Sequence, residues 1–272
     1  MSERDQSIPR LFKVERLISY PFPMLVGVFS SFITVAFYSV LGLRFFRGVG
    51  VFIPSSWNAT VINSQIDETI YTIAVGALGQ AFFNISAIVM FIAPLIFAFN
   101  YAQGFATGKI RTLLSYPIGR RKMFIMKIVF IILILAISLT ISGILSLICY
   151  YPFYINPGLL VLFLVSSWVS VLIISSTCTF IATFSRSAPV TAFLGIGLWF
   201  VGFIFAVAPF SPILLKQLFF PWVLTSRYLN PIALSYLEPV TFNDVFGSIF
   251  ISLALSLFLL LISILRFERM EV

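Results

Sequence analysis

Long runs of apolar residues without any ionisable side chain dominate this chain. The five runs cover residues 17–43, 69–108, 128–185, 187–215 and 245–265. A helix that crosses the hydrocarbon core needs about 20 mostly apolar residues, so each run is long enough for one span and the third is long enough for two. The pattern therefore predicts an all-α polytopic membrane protein.

The third run is interrupted once, between Tyr150 and Gly158, by two prolines, an asparagine and three tyrosines. These residues favour a turn at the membrane interface, so the run predicts a hairpin of two helices. The head before the first run carries acids as well as bases, which is not typical of a cleaved signal peptide. We therefore predict a single transmembrane domain (residues 1–272) with six spans, near residues 20–41, 76–99, 128–149, 159–183, 190–213 and 245–265.

The basic residues are concentrated in alternate connections between these spans. Cytoplasmic loops carry the excess of lysine and arginine in membrane proteins, which predicts that both termini lie in the cytoplasm (N-in, C-in). The outer segments then hold only Arg44, Arg47, Lys216 and Arg227, which are matched by four acids. The inner segments hold the other thirteen of the 17 bases: Arg4, Arg10, Lys13, Arg16, Lys109, Arg111, Arg120, Arg121, Lys122, Lys127, Arg186, Arg266 and Arg269.

Residues 217–240 are fairly apolar but do not fit a seventh span. They contain Pro221, Arg227, Pro231 and Glu238, and a span here would move the C-terminal arginines outside. We interpret them as an outer re-entrant segment of short helices between spans five and six. Irregular backbone at that depth must be satisfied by protein or water, so the segment should pack against the bundle or line a vestibule.

Composition excludes several kinds of chemistry. The chain is 60% hydrophobic, has no histidine, and has two cysteines without a partner motif, so we expect no metal site and no cofactor of its own. No acid occurs between Glu68 and Glu238, so proton or sodium carriers of the usual kind have no candidate relay here. Gly104 to Ile110 lacks the spacing of a phosphate-binding loop. We expect no enzymatic activity and no nucleic acid partner.

Small and polar residues inside the spans suggest packing faces and a candidate translocation path. Serines recur every four residues at 142 and 146, at 166 and 170, and at 248, 252 and 256, a spacing that lets helices approach closely. The two cysteines, Cys149 and Cys178, are predicted to be small core residues. The polar side chains that could face a path are Gln80, Asn84, Ser86 and Thr191.

The 100–127 segment, the largest predicted cytoplasmic connection, has an order of parts that favours a specific role. Ile110, Leu113 and Leu114 give a short helix one apolar face, and Tyr116-Pro117 ends that helix. The basic cluster that follows, Arg120-Arg121-Lys122 and Lys127, could also serve only to anchor the third span on anionic lipid.

This order resembles the loop after span two in the membrane subunits of type-2 ABC exporters. That loop runs through a glycine, an apolar helix with a Leu-Leu pair, a proline, an arginine and a final lysine. The chain departs from it where many members have a glutamate, which is replaced by Gln103 or Gly104, and at Lys109, which replaces a threonine. The matching positions are Gly108, Arg111, Leu113, Leu114, Pro117, Arg120 and Lys127.

The resemblance implies a multi-pass protein of the cell membrane that forms a dimer with an identical or a different permease subunit. A separate nucleotide-binding ATPase, which binds ATP and magnesium, would dock below each subunit. The loop helix would be the cytoplasmic coupling helix, and an N-terminal interfacial helix would be a second contact through Leu11, Val14 and Ile18. The implied coupling residues are Ile110, Arg111, Leu113, Leu114, Tyr116, Pro117 and Arg120.

The sequence thus predicts the permease subunit of an ATP-driven exporter of a hydrophobic or amphiphilic substrate, such as a drug, a peptide or a lipid-like molecule. The main alternative is a membrane assembly or immunity protein that binds a partner without transport. A secondary carrier is the next alternative, and an intramembrane hydrolase is disfavoured because histidine and embedded acids are absent.

Overall fold

A computed structural model describes residues 89–108, 110, 119–150, 157–207, 221–229 and 240–270. The described residues are mostly helical, and no strand occurs among them. The helices are α1 (Val89–Phe105), α2 (Arg120–Tyr150), α3 (Pro157–Ser185), α4 (Ala188–Val207), α5 (Pro221–Leu229) and α6 (Phe242–Glu268).

Three of these helices are long and apolar enough to cross a membrane. They are the Arg120–Ile141 part of α2, the Val161–Ser185 part of α3, and α6. α1 and α4 contribute shorter apolar stretches, Val89–Phe105 and Ala188–Ile204. The all-helical, apolar character that the sequence predicted is therefore present. The first predicted span and the N-terminal interfacial helix lie outside the described residues.

The helix ends follow local chemistry. α3 and α5 both begin with a proline, which is tolerated there because the N–H groups of a first turn have no partner within the helix. α6 begins with a capping box, in which Thr241 Oγ1 accepts from the Asp244 N–H and Asp244 Oδ2 accepts from the Thr241 N–H. α2 begins at Arg120 rather than near residue 128, because the basic cluster forms its first turn.

α3 is the central helix, and it contacts each of the other five. It carries buried serines and threonines along its length, and many of their hydroxyls donate to a carbonyl one turn earlier, as Ser170 does to Ser166 and Thr183 to Thr179. Such bonds satisfy the hydroxyls inside an apolar bundle. Because serine and threonine side chains are small, they also allow neighbouring helices to pack closely.

The packing role predicted for the repeated serines is confirmed where the structure describes them. Ser166 and Ser170 of α3 are buried. So are Ser248, Ser252 and Ser256 of α6, the helix most extensively packed on α3. The side chains of the repeat on α2, at residues 142 and 146, are outside the described part.

α1 and α4 approach each other closely at Gly195. A Cβ placed on Gly195 would lie 2.8 Å from Pro94 Cβ, a distance that real Cβ atoms essentially never show. The same Cβ would be 3.5 Å from Cys178 Sγ, and Cys178 is fully buried, as predicted for a core residue. The short distance to Pro94 shows that glycine at position 195 sets the distance between these helices. The side chain of Cys149 is not among those described.

Contacts between the helices define two ends of the bundle. At one end, which we call the basic end, α1 and α3 finish, α2 and α4 begin, and α6 finishes. α2 and α3 run antiparallel, with Trp168 Nε1 donating to Thr140 Oγ1 at 2.8 Å. α3 and α6 run parallel, since Arg266 lies over the Phe184 ring near their ends.

The opposite end, the α5 end, is where α5 packs against α3 and α6. Thr225 Oγ1 is 2.8 Å from Ser166 Oγ, and the Tyr228 ring contacts the Phe242 ring at the start of α6. All residues of α5 except Tyr228 are buried. This part of the 217–240 segment thus packs against the bundle.

Candidate functional site

The end of α1 has an unusual backbone that turns a tyrosine into the bundle. Ala98–Ala102 form a π-helical segment, a widened turn that is found frequently at functional sites. Tyr101 is buried there, and its hydroxyl is 3.2 Å from Thr183 Oγ1 near the end of α3. Because the Thr183 hydroxyl donates to the Thr179 carbonyl, Tyr101 is the donor in this pair. The start of the 100–127 segment is therefore tied to α3.

Four aromatic rings, which we call the end cluster, join three helices at the basic end. Tyr101 of α1 makes edge contacts with Phe105 and with Phe124 of α2, at centroid distances of 5.3 and 5.8 Å. Phe267 of α6 lies 5.0 Å from Phe124 and 6.3 Å from Phe105. Tilted and edge-to-face pairs at these distances are attractive beyond the area they bury. Both flanks of the 100–127 segment thus pack on the end of α6.

The chain leaves α1 through a glycine bend. The Thr107 N–H donates to the Gln103 carbonyl, and Gly108 then adopts a φ of +71°, which is favourable only for glycine. Ile110 follows and is 1% exposed. Its Cγ1 would be 3.2 Å from a Cβ on Gly104, so the bend folds the chain back onto α1.

At the other flank, the first turn of α2 is tied to the C-terminal end of α6. Arg120 Nη1 donates at 2.8 Å to the carbonyl of Met270, which lies two residues beyond the last residue of α6. Arg121 Nε lies 3.9 Å from Glu268 Oε1. This ion pair is exposed and contributes little to stability. The hydrogen bond from Arg120 is the more specific link between the two helices.

The described cations collect at the basic end. Arg186 in the turn between α3 and α4 is exposed, as are Arg266 and Arg269 at the end of α6. Arg120, Arg121 and Lys122 are exposed at the start of α2. Among the described residues, the α5 end carries Arg227, which is buried, and Asp244. The contacts between helices therefore place the described members of the inner basic set at one end of the bundle.

The predicted site residues fall into different environments. Ile110 is buried, so in this structure its side chain attaches the loop to the bundle instead of facing a partner. Arg120 is exposed and is bonded to Met270. The other predicted coupling residues, Arg111, Leu113, Leu114, Tyr116 and Pro117, lie outside the described residues, as do Leu11, Val14 and Ile18 and the candidate path residues Gln80, Asn84 and Ser86.

Thr191, the remaining candidate path residue, is buried at the start of α4. Its hydroxyl donates to the Ser187 carbonyl at 2.8 Å and is 3.2 Å from Ser185 Oγ. Thr191 therefore stabilises the turn between α3 and α4, and its place on a translocation path stays a prediction.

Sequence reasoning missed the end cluster. Its aromatic residues belong to a chain with 32 phenylalanines, and nothing in their spacing sets them apart from rings that face lipid. A usable signal was available only for Tyr101, since a polar ring at the end of an apolar run is typical of the membrane interface.

Comparison of the chain with protein families and with curated proteins finds no match. In the described part of the chain, no three residues of the types that ligate metals lie close enough to hold an ion.

Proposed function

We propose that the chain is the membrane subunit of an ATP-driven exporter and that the 100–127 segment transmits the motion of a partner ATPase to the spans. The observation that carries this proposal is the combination of the loop pattern with the attachment of both loop flanks to the bundle. Tyr101 and Ile110 hold the first flank, and Arg120 and Phe124 hold the second.

This attachment supports the proposal because force can pass through a loop only if its ends are held. A segment that served only to anchor span three on lipid would need its cations and would not need a buried entry. Here the entry is buried at Tyr101 and Ile110, and Gly108 has the left-handed backbone that the glycine of the resembling pattern permits. Packed elements with discrete arrangements are the physical route by which distant sites are coupled.

The proposal includes finer features. The subunit has six spans with both termini in the cytoplasm, an N-terminal interfacial helix and an outer re-entrant segment that contains α5. Two such subunits form the translocation path in the cell membrane, and the substrate is hydrophobic or amphiphilic. ATP and magnesium bind to the partner ATPase. The cations at the basic end support the cytoplasmic placement of that end, since it carries the excess of arginine and lysine.

Two predicted coupling residues have different tasks in this proposal. Ile110 holds the loop on the bundle, and the exposed Arg120 orients the first turn of α2 through the Met270 carbonyl. Contact with the ATPase is then left to the part of the segment between them, which includes Arg111, Leu113 and Leu114.

The test is purification of the tagged full-length chain from its native membrane, followed by identification of bound ATPases and measurement of ATP-driven transport in vesicles. We expect an ATPase to co-purify, and Arg111→Glu and Leu113→Asp to release it. Arg269→Glu is the matched control, since it reverses an exposed charge at the same end outside the loop. Retention of the ATPase and of transport in both loop variants would refute the proposal. A stable complex with a protein that is not an ATPase would favour an assembly protein instead.

A further inference from the structure

A patch at the basic end combines two arginines with an exposed aromatic ring. The Arg266 guanidinium lies 5.6 Å from the centroid of the Phe184 ring, near the ends of α6 and α3. Arg186 follows Phe184 by two residues and is also exposed. The acid nearest to Arg266 along α6 is Glu268, whose Oε1 lies 3.9 Å from Arg121 Nε.

Exposed apolar side chains continue from this patch along the helices. Phe184 itself is 48% exposed, and its ring contacts the tilted ring of Phe180, one turn earlier on α3. On α6, Phe258 lies two turns before Arg266 and is 58% exposed. Leu265, which directly precedes Arg266, is also exposed. Large apolar groups of this kind are stable on a surface that contacts acyl chains. The patch is therefore cationic at the basic end and apolar further along the helices, toward the α5 end.

The backbone at Arg186 adds a separate observation. Arg186 has a φ of 51°, in the left-handed region, and its N–H donates to the Ala182 carbonyl to end α3. Glycine is the residue that usually occupies such a position, since a side chain is strained there. An arginine at this position is therefore not explained by the turn.

We infer that Arg186 and Arg266 bind the headgroup of an anionic phospholipid whose acyl chains lie along Phe184 and Phe258. Charge complementarity favours a headgroup with a net negative charge, and the adjoining apolar surface favours a lipid over a free anion. An acidic protein surface would pair with the two arginines but would not contact the apolar side chains that continue along the helices. The inference depends on the membrane location of the chain and is independent of the proposed transport function.

The cations could instead serve only to balance the negative ends of the helix dipoles. That role predicts a loss of stability when either charge is removed and no preference among lipids. Arg186→Gly separates the two, since glycine relieves the backbone strain while it removes the charge.

The test uses the purified full-length chain in detergent, with native mass spectrometry to measure the dissociation constant of the first bound phosphatidylglycerol or phosphatidylcholine. We expect a preference for phosphatidylglycerol that weakens about five-fold for each arginine removed, in Arg186→Gly and in Arg266→Gln. The matched control is Lys122→Gln, which removes an exposed charge of the same end on α2. It should leave the preference unchanged. Thermal unfolding of each variant checks that the fold is retained.

Three outcomes would overturn the inference. Equal weakening by Lys122→Gln would show a general effect of net charge, and equal affinity for the two lipids would leave no headgroup site. If millimolar inorganic phosphate displaced bound phosphatidylglycerol, the site would be one for soluble anions. Failure of ATPase co-purification, by contrast, would concern only the proposed function.

Discussion

Phe267 offers the sharpest test of how the basic end is held together. It is 1% exposed and contacts the rings of Phe105 and Phe124. Replacement by alanine removes both ring contacts, each worth about 0.5–1.5 kcal/mol, so we expect the free energy of unfolding to fall by about 1–3 kcal/mol. The transfer of the ring from water adds little, because the denatured chain stays in an apolar micelle.

The assay is unfolding of the purified chain in mixed micelles by increasing the mole fraction of sodium dodecyl sulfate, followed by circular dichroism. Phe250→Ala is the matched control, since it makes the same substitution in the same helix at a position 65% exposed. Both variants make the same change of residue type on α6, so the difference between them reports mainly the ring contacts. We expect Phe250→Ala to change stability by no more than about 0.5 kcal/mol. Equal losses in the two variants would refute the assignment of Phe267 to a packed cluster.

Three further changes test single contacts by the same unfolding assay. Thr241→Ala removes the capping box of α6 and should cost about 1 kcal/mol, whereas Thr241→Ser should retain it; equal losses would argue against the cap. Gly195→Val should separate α1 from α4, because a Cβ at position 195 would lie 2.8 Å from Pro94 Cβ, and unchanged stability would contradict this close approach. Trp168→Phe deletes the hydrogen bond to Thr140 and should cost about 0.6 kcal/mol, and its cost should be smaller in a chain that already carries Thr140→Val if the two side chains are bonded.

The sequence predicted the apolar, all-helical character of the part that the structure describes, because the signal for an apolar helix is strong and local. The predicted span near 159–183 corresponds to α3 at Pro157–Ser185, and that near 245–265 corresponds to α6 at Phe242–Glu268. The differences have local causes, since Thr241 caps α6 earlier than the first apolar residue and Arg120 lies in the first turn of α2.

The candidate site was predictable only in part. The glycine bend at Gly108 and the exposed Arg120 follow from residue types. The burial of Ile110 does not, because an apolar face on a loop helix fits a partner protein and the chain's own bundle equally well. The link from Arg120 to Met270 joins residues 150 positions apart, and no local pattern reports such a distance.

The position of each helix in the bundle follows from its hydroxyl groups more than from its hydrophobicity. In membranes, lipid is as apolar as a leucine side chain, so an apolar helix gains little by being central. A helix with short hydroxyl side chains gains more from a central position, since these side chains permit close approach and donate hydrogen bonds to carbonyls of their own helix. α3 has buried hydroxyls from Ser166 to Thr183, whereas α4 contains a single hydroxyl residue, Thr191, and exposes Phe193 and Phe200. Serine and threonine density along an apolar run is therefore the feature that indicates a central helix in this chain.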